Sequence, residues 1–156
     1  MKEIPLTQGK VALVDDEDFD RVNQFKWQAA RANRNWYAIR GIRIPGKKNS
    51  TIRMHCFILG IKKIDHRNTN GLDNQKENLR PATDSQNQAN RRKQLGTSSK
   101  FKGVSFFKKK GKWHSDIYVS KQRISLGYYE QEEHAALAYN GAAKLFFGEF
   151  ARLNQI

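Results

Sequence analysis

Hydrophobic and polar residues alternate most regularly in the last third of the chain. The segments FKGVSFFK, KWHSDIYVS and RISLGYY have the two-residue period of β-strands and are separated by polar turns. In the middle segment, alternation places Trp113, Ser115, Ile117 and Val119 on one face and Lys112, His114, Asp116 and Tyr118 on the other. We therefore predict a three-stranded antiparallel sheet with one apolar face and one open face.

A helix is predicted directly after these strands, over QEEHAALAYNGAAKLFFG. Glu132 and Glu133 lie in its first turn, where negative charge is favourable, and Gly148 is a typical C-terminal residue. The stripe expected to cover the apolar face of the sheet consists of Ala135, Leu137, Ala138, Ala142 and Leu145.

The first part of the chain mixes strand and helix patterns. Strands are predicted over KVALVD, NWYAIRGIRI and STIRM, and HCFILG is predicted to be a short helix that ends at Gly60. The acidic run DDEDFD reads as the start of a helix capped by Asp15. A calcium loop is the alternative, but the run lacks the central Gly and terminal Glu of such loops. His55 is expected to serve packing or hydrogen bonding.

The segment from Lys63 to Lys93 predicts a strand, a polar loop, a second strand and a helix. KKID leads to Asp65 and His66, LRPAT forms the second strand, and Asp84 caps a helix through SQNQANRRK. Such a ββα arrangement brings its polar groups together. Two of the loop's many asparagines, Asn70 and Asn74, are expected to serve turns.

Charge is distributed unevenly along the 156 residues. The chain carries a formal net charge of +14, and between Gln88 and Arg123 there are eleven basic residues and a single acid, Asp116. This asymmetry indicates a polyanionic partner. A membrane surface would attract the same charge, but the window has a strand pattern and no basic amphipathic helix. Nucleic acid is therefore the preferred interpretation.

Cysteine content and hydropathy set further limits. Cys56 is the only cysteine, so neither a disulfide within the chain nor a cysteine-ligated structural zinc is expected. No apolar run approaches the length that spans a bilayer, and the N-terminus lacks the apolar core of a signal peptide. The sequence thus predicts a cytoplasmic protein with no membrane partner.

The side chains of the ββα segment favour metal-assisted phosphodiester hydrolysis. Asp65 and Asn87 offer hard oxygen ligands for Mg²⁺, with Mn²⁺ as the alternative, and leave room for water and phosphate oxygens. His66 is suited to take a proton from water near neutral pH. Asn78 is expected to hold the loop and orient His66 through hydrogen bonds to the backbone.

The same segment resembles the HNH nucleases, specifically the phage and intron-encoded homing endonucleases. The resemblance rests on the Asp-His pair, NGLDNQKENLRPAT and SQNQANRRK, and covers roughly the first 93 residues. It implies a ββα-metal fold in which His66 and Asn78 are catalytic and Asp65 and Asn87 are metal ligands, and it implies a bacterial or phage-infected host cell.

From Ser99 to Asn154 the chain resembles the plant apetala-two/ethylene-response-factor DNA-binding domain. The matching segments are FKGVSF, GKWHSDI, ISLGYY, EEHAALAYNGAAKLFFG and ARLN. The resemblance implies that the open face of the sheet lies in the major groove of DNA. Together with the basic window, it predicts as DNA-binding residues Arg91, Arg92, Lys93, Lys102, Ser105, Phe107, Lys108, Lys109, Lys110, Lys112, Asp116, Tyr118 and Arg123.

The sequence thus predicts an α+β protein with a ββα-metal nuclease domain (1–93), a linker (94–100) and an apetala-two-like domain (101–156). The predicted activity is that of a site-specific homing endonuclease on double-stranded DNA, nicking one strand as a monomer, with a dimer as the variant. The alternative is a non-catalytic DNA-binding transcriptional regulator on a decayed nuclease fold.

Overall fold

The protein consists of two compact units, Met1–Thr83 and Asp84–Ile156. The computed structural model describes residues 1–43, 45–46 and 48–156. The predicted linker, residues 94–100, lies inside the second unit, and the division between the units comes before it.

The first unit combines small antiparallel sheets with two short helices. The strands β1 and β2 form one hairpin, β3, β4 and β5 form a three-stranded sheet in that order, and β6 pairs with β7. The elements are β1 (Lys2–Pro5), β2 (Val11–Val14), α1 (Asp16–Asn23), β3 (Gln28–Ala32), β4 (Asn35–Ile42), β5 (Ser50–Arg53), α2 (Met54–Leu59), β6 (Ile64–His66) and β7 (Leu79–Pro81).

One apolar core holds these elements together. Its buried members come mainly from β1, β2, both helices, β4, β6 and β7, so each of these elements contributes at least one side chain that packs against the others. They are Ile4, Ala12, Val14, Val22, Trp27, Ala38, Met54, Ile58, Ile64 and Leu79.

The strands and helices predicted for the first unit are present. Helix α2 ends at Gly60, whose φ of 68° is the left-handed conformation that glycine adopts without strain. Residue Ile44 of the predicted strand over 35–44 lies outside the described residues. Strands β1 and β3 were not predicted, because KEIP contains a proline and QAARA lacks the aromatic and β-branched residues typical of strands.

The second unit is a three-stranded antiparallel sheet with one long helix on one face. The strand order is β10–β9–β8, and α4 lies against all three strands. The elements are α3 (Asp84–Ala89), β8 (Val104–Phe107), β9 (Lys112–Val119), β10 (Gln122–Tyr129) and α4 (Glu132–Phe147). The predicted strands and the long helix are therefore confirmed.

The side of α4 that packs on the sheet differs from the predicted stripe. The buried residues of the helix are Ala135, Ala136, Tyr139 and Ala143, whereas Leu137 and Leu145 are 55% and 81% exposed. The helix is apolar on several sides, so periodicity alone did not identify the packed side. Small alanines face the strands, and Tyr139 provides the bulk between them.

Helix α3 is shorter than predicted. It begins at Asp84 as expected but ends at Ala89, so Arg91, Arg92 and Lys93 follow the helix instead of extending it. It also belongs to the second unit, whereas β6 and β7 belong to the first. The structure thus supports a mixed α and β fold with several antiparallel sheets, and does not support the predicted ββα-metal domain.

No helix in the described part of the chain has the length and apolar character needed to cross a membrane.

Gly103 and Gly141 provide a matched test of the packing in the second unit. Gly103 has a φ of +73°, and a Cβ there would lie 2.0 Å from the Tyr139 ring and 2.7 Å from the Asp116 carbonyl oxygen. Gly103→Ala should therefore destabilise the unit by at least about 2 kcal/mol. Gly141, in the middle of α4, has open space around it, so Gly141→Ala should stabilise by about 0.5–1 kcal/mol. Urea unfolding followed by circular dichroism measures both, and equal effects would contradict the packing described.

Candidate functional site

The face of the sheet opposite α4 carries a mixed polar and aromatic surface, here called the open face. The register of the strands pairs Ser105 and Tyr128 with His114 on either side, and pairs Arg123 with Tyr118. The open face comprises Ser105, Phe107, Lys112, His114, Asp116, Tyr118, Arg123, Ser125 and Tyr128.

Tyr128 joins this face because β10 contains an irregularity. The register shifts between Ser125 and Gly127, so that Tyr128, and not Gly127, lies opposite His114. A bulge of this kind changes the phase of the alternation. Sequence reasoning therefore missed Tyr128, and the glycine within the strand was the signal that could have indicated it.

One half of the open face is an aromatic cluster around Tyr128. The Tyr128 ring lies 4.7 Å from the His114 ring and 5.5 Å from the Phe107 ring, measured between centroids. The Lys110 ammonium lies 4.0 Å above the Tyr128 ring. This geometry is a cation–π contact, and it holds a lysine of the neighbouring turn at the edge of the face.

The other half is a hydrogen-bonded charge cluster. Nε of Arg123 donates to Oδ2 of Asp116 at 3.0 Å, and the Nη2 group donates to the same oxygen. The hydrogen bonds with Asp116 hold the pKa of Arg123 above its ordinary value. His114 lies beside them, with Nδ1 3.5 Å from Asp116 Oδ2 and Nε2 2.9 Å from the Ser125 hydroxyl. Arg123 remains about half exposed, so its guanidinium is fixed in direction but accessible.

Three lysines form the turn between β8 and β9. Lys108, Lys109 and Lys110 occupy a single 3₁₀ turn, all three are exposed, and Gly111 ends it with a φ of 63°. The turn places three positive charges directly beside the open face. Lys112 follows at the start of β9 and forms an ion pair with Glu130 at 2.8 Å.

The remaining predicted DNA-binding residues lie elsewhere in the second unit. Arg91, Arg92 and Lys93 come after α3, the first two exposed and Lys93 half-buried. Lys102 precedes β8 and is half-buried, and its ammonium donates a hydrogen bond to the Ala89 carbonyl oxygen. Lys102, predicted to bind DNA, thus lies outside the open face.

In the first unit, Asp65 forms a buried ion pair. Nε and Nη2 of Arg80 donate to Oδ2 of Asp65 at 3.0 and 2.7 Å, and both side chains are 7% exposed. The two residues lie directly opposite one another on β6 and β7. The carboxylate predicted to bind a metal is therefore already engaged by a guanidinium.

His66 lies in a buried aromatic cluster. Its ring is 4.7 Å from the His55 ring and 6.0 Å from the Tyr37 ring, and both histidines are buried. Burial lowers the pKa of His55 to about 3, with further lowering by His66 and Arg53. Burial also lowers the pKa of His66, against an opposing hydrogen bond with Asn74. The expected packing role of His55 is confirmed.

The asparagines of the loop between β6 and β7 satisfy its backbone. Asn78 Oδ1 accepts from the Asn68 N–H at 2.9 Å, and Asn78 Nδ2 donates to the Asp73 carbonyl at 2.8 Å. The Asn68 and Asn70 side chains accept from N–H groups two residues on, as in Asx turns. The wholly buried Asn74 donates its N–H to the Leu13 carbonyl, which ties the loop to β2.

The expected magnesium site stays a prediction, but Asp65, its one charged ligand, is engaged by Arg80. Among the residues that the structure describes, no group of three or more His, Cys, Asp or Glu side chains is arranged to hold a metal ion. The catalytic roles expected of His66 and Asn78 stay predictions.

Comparison with known proteins finds similarity to plant transcription factors. The chain is 36% identical over 64 residues to an AP2-like ethylene-responsive transcription factor of Arabidopsis thaliana, covering 41% of this chain and 13% of that protein. It is 36% identical over 64 residues to APETALA2-like protein 2 of Oryza sativa subsp. indica, covering 41% and 15%. It is 42% identical over 57 residues to an AP2/ERF and B3 domain-containing transcription repressor of Arabidopsis thaliana, covering 36% and 16%.

The chain thus spans about one seventh of the length of the curated relatives it matches. No family model matches it, and no solved structure matches it significantly.

These comparisons overturn the expectation of an HNH endonuclease. The matched proteins are transcription factors and APETALA2-like proteins, and no nuclease is among them. The buried pairing of Asp65 with Arg80 agrees with this correction, because it gives the Asp-His pair a structural partner that the sequence alone did not reveal.

The Asp65–Arg80 pair can be tested by a double-mutant cycle. Asp65→Ala or Arg80→Met alone should each destabilise the first unit by about 3–5 kcal/mol, because each leaves one buried charge uncompensated. The double variant should be less destabilised than the sum of the two single variants. Urea unfolding of all four proteins measures the coupling. As a control, Lys112→Met removes a cation from the exposed ion pair with Glu130 and should destabilise the protein by about 1 kcal/mol or less. Additive effects of the Asp65 and Arg80 substitutions would contradict the pairing.

Acid should destabilise the first unit through His55. Its folded pKa of about 3 lies below the unfolded value of about 6.5, so the unfolded chain binds the proton first. The contribution of neutral His55 to the free energy of unfolding is therefore fully present above about pH 6.5. It is lost as the pH falls towards 3, by up to about 1.4 kcal/mol per pH unit. His55→Gln should flatten this dependence, whereas His134→Gln on the exposed surface should leave it steep. Urea unfolding from pH 7.5 to 4.5 distinguishes them, and identical slopes would remove His55 from the effect.

Proposed function

We propose that the protein is a non-catalytic, sequence-specific DNA-binding regulator that contacts double-stranded DNA through the open face of its second unit. The observation that carries this proposal is the composition of that face. Helix α4 covers the opposite side, and the open face presents an exposed Arg123, an exposed Tyr118 and an aromatic cluster beside a turn of three lysines.

The similarity to plant transcription factors supports the proposal. The matched lengths of 64 and 57 residues are close to that of segment 99–154, which carries the strand and helix motifs described above. The first relative is named as a transcription factor and the third as a transcription repressor. Regulation of transcription is therefore the activity favoured for this chain.

The geometry divides the contacts into two kinds. Exposed lysines at a turn can reach phosphate oxygens, which position a protein on DNA without specifying sequence. Arg123 is different, because Asp116 fixes its guanidinium in direction, and a fixed guanidinium can donate two hydrogen bonds to the edge of a guanine in the major groove. Tyr118 lies next to it in the register and is 61% exposed.

The density of positive charge supports nucleic acid over a protein partner. Eleven of the chain's 29 lysines and arginines fall between Gln88 and Arg123 with one acid, and that acid is already paired with Arg123. The phosphates of duplex DNA lie close together along the helix, so a surface of this charge gains most from DNA by releasing condensed counterions.

Salt dependence and sequence discrimination should respond to different side chains. Selection from a random duplex library would first supply a preferred sequence. Replacing Lys108, Lys109 and Lys110 together by Gln should weaken binding to preferred and random DNA alike, and should reduce the slope of log affinity against log salt by about 0.9 for each phosphate that is no longer neutralised. Arg123→Gln should instead reduce the preference for the selected sequence, by about 1–3 kcal/mol.

Lys144→Gln is the control for the lysine turn. Lys144 is exposed on α4, the helix that covers the other face of the sheet, so its replacement should leave the salt slope unchanged. Anisotropy titrations on both DNAs at several salt concentrations measure all of these proteins. A library that yields no preferred sequence, or an Arg123→Gln protein that keeps full discrimination, would contradict the proposal.

A further inference from the structure

The second unit contains a cavity whose charged side chains are all basic. Its volume is about 310 Å³, and among the described residues that line it are four cations and no acid. They are Lys93, Lys100, Lys102 and Arg152, with Phe101 and the segment Leu153–Gln155 completing the wall.

Lys102 is one of the four cations of the cavity wall, and hydrogen bonds define its position. Its backbone is fixed by Asn154, whose Oδ1 accepts from the Lys102 N–H at 2.7 Å and whose Nδ2 donates to the Lys102 carbonyl at 3.0 Å. Asn154 is itself held by two hydrogen bonds with Asn140 of α4. The lysine stem is therefore anchored to the helix at its base, which fixes where the side chain begins.

The Lys102 ammonium retains donor capacity. An ammonium group has three N–H donors, and the structure gives this one a single acceptor, the Ala89 carbonyl oxygen. Two donors are thus left within a cavity wall. Burial lowers the pKa of Lys102 to about 8, with further lowering by Arg152 and Arg91, so the positive charges around it repel one another.

A second, larger cavity of about 690 Å³ adjoins the first and shares Lys93, Phe101 and Lys102 with it. Three further cations line this second cavity, namely Arg91, Arg92 and Lys121. The described residues that line the two cavities thus include seven cations. The acids that line the larger cavity are Asp84 and Asp116, and Asp116 is paired with Arg123. Lys100 forms an exposed ion pair with Glu133 at 3.4 Å.

We infer that the cavity at Lys102 is an anion-binding site that takes a phosphate group. A phosphate offers several strong acceptor oxygens to the remaining Lys102 donors, and its charge offsets the repulsion between Lys102, Arg91 and Arg152. A chloride ion would satisfy the charge but accept with less directional hydrogen bonding. No residue of the open face or of the lysine turn lines the cavity at Lys102 itself, whereas the adjoining larger cavity reaches Asp116 and Tyr118 of that face.

Two sources can supply this phosphate, and both use the same chemistry. One is free phosphate or pyrophosphate, and the other is a phosphate of bound DNA. Isothermal titration of inorganic phosphate into the full chain, and then into the chain saturated with duplex DNA, distinguishes them. Binding that persists in the DNA complex assigns the cavity to a free anion, whereas binding that disappears there assigns it to a DNA phosphate.

The test of the site itself compares two lysine variants that remove the same charge. Lys102→Met should lower the affinity for inorganic phosphate and pyrophosphate at least tenfold. Lys109→Met, on the exposed turn, should change it less than twofold. Equal affinities in the two variants, or no phosphate binding by the unaltered chain, would overturn the inference.

Two further variants serve as a replacement for Lys102→Met and as a control for DNA recognition. Because Lys102 is half-buried, circular dichroism must show that Lys102→Met is folded. If it is not, Arg152→Met, which alters another cation of the wall, replaces it and should lose affinity to the same extent. Arg123→Gln should keep full phosphate affinity while losing sequence discrimination. The anion site and the proposed DNA-binding function can thus fail independently.

Discussion

The second unit depends on a simple geometric constraint: one helix covers only one face of a sheet. Helix α4 buries Ala135, Ala136, Tyr139 and Ala143 against the strands, and Gly103 allows the Tyr139 ring to approach the backbone. On the other face Tyr118, Arg123 and Tyr128 are exposed, so these side chains must be stable in water. The side chains of this face have internal partners, Arg123 with Asp116 and His114 with Ser125, and its rings contact one another at tilted angles. Because these side chains are already held in position, the surface can bind a polar ligand without first being ordered.

The strand period was strong enough to predict this sheet, but not every residue on it. Alternation from Arg123 would place Ser125, Gly127 and Tyr129 on the same face. The irregularity before Gly127 shifts that phase and brings Tyr128 beside His114 instead. Such a bulge depends on how the whole strand fits its neighbour, which a local pattern does not contain. The packed side of α4 was missed for a related reason. Alanines and leucines occur on several sides of the helix, and only its contacts with the strands determine which side is buried.

In the first unit, a short motif suggested chemistry that its surroundings do not support. Asp65 and His66 were correctly placed at the end of a strand, and the asparagine-rich loop after them was correctly recognised as polar and ordered. What the sequence did not show is that Arg80, fifteen residues later, lies directly across the hairpin from Asp65. An arginine in a strand is usually exposed, so its burial with a carboxylate was not expected. Spacing along the chain predicted the elements, whereas the partner of each charge depended on the register between them.

The same distinction applies to the basic residues, which a count of charge treats as equivalent. The structure places them in different surroundings: the exposed turn of Lys108 to Lys110, the ion-paired Arg123, and the half-buried Lys102. A charge in water is screened by salt over about 10 Å, so the turn lysines act as a diffuse attraction for any polyanion. Arg123 is held in one direction and can discriminate between partners. Lys102 is desolvated, and a desolvated cation gains most from an anion that replaces its lost water. Position, more than number, therefore determines what each positive charge can recognise.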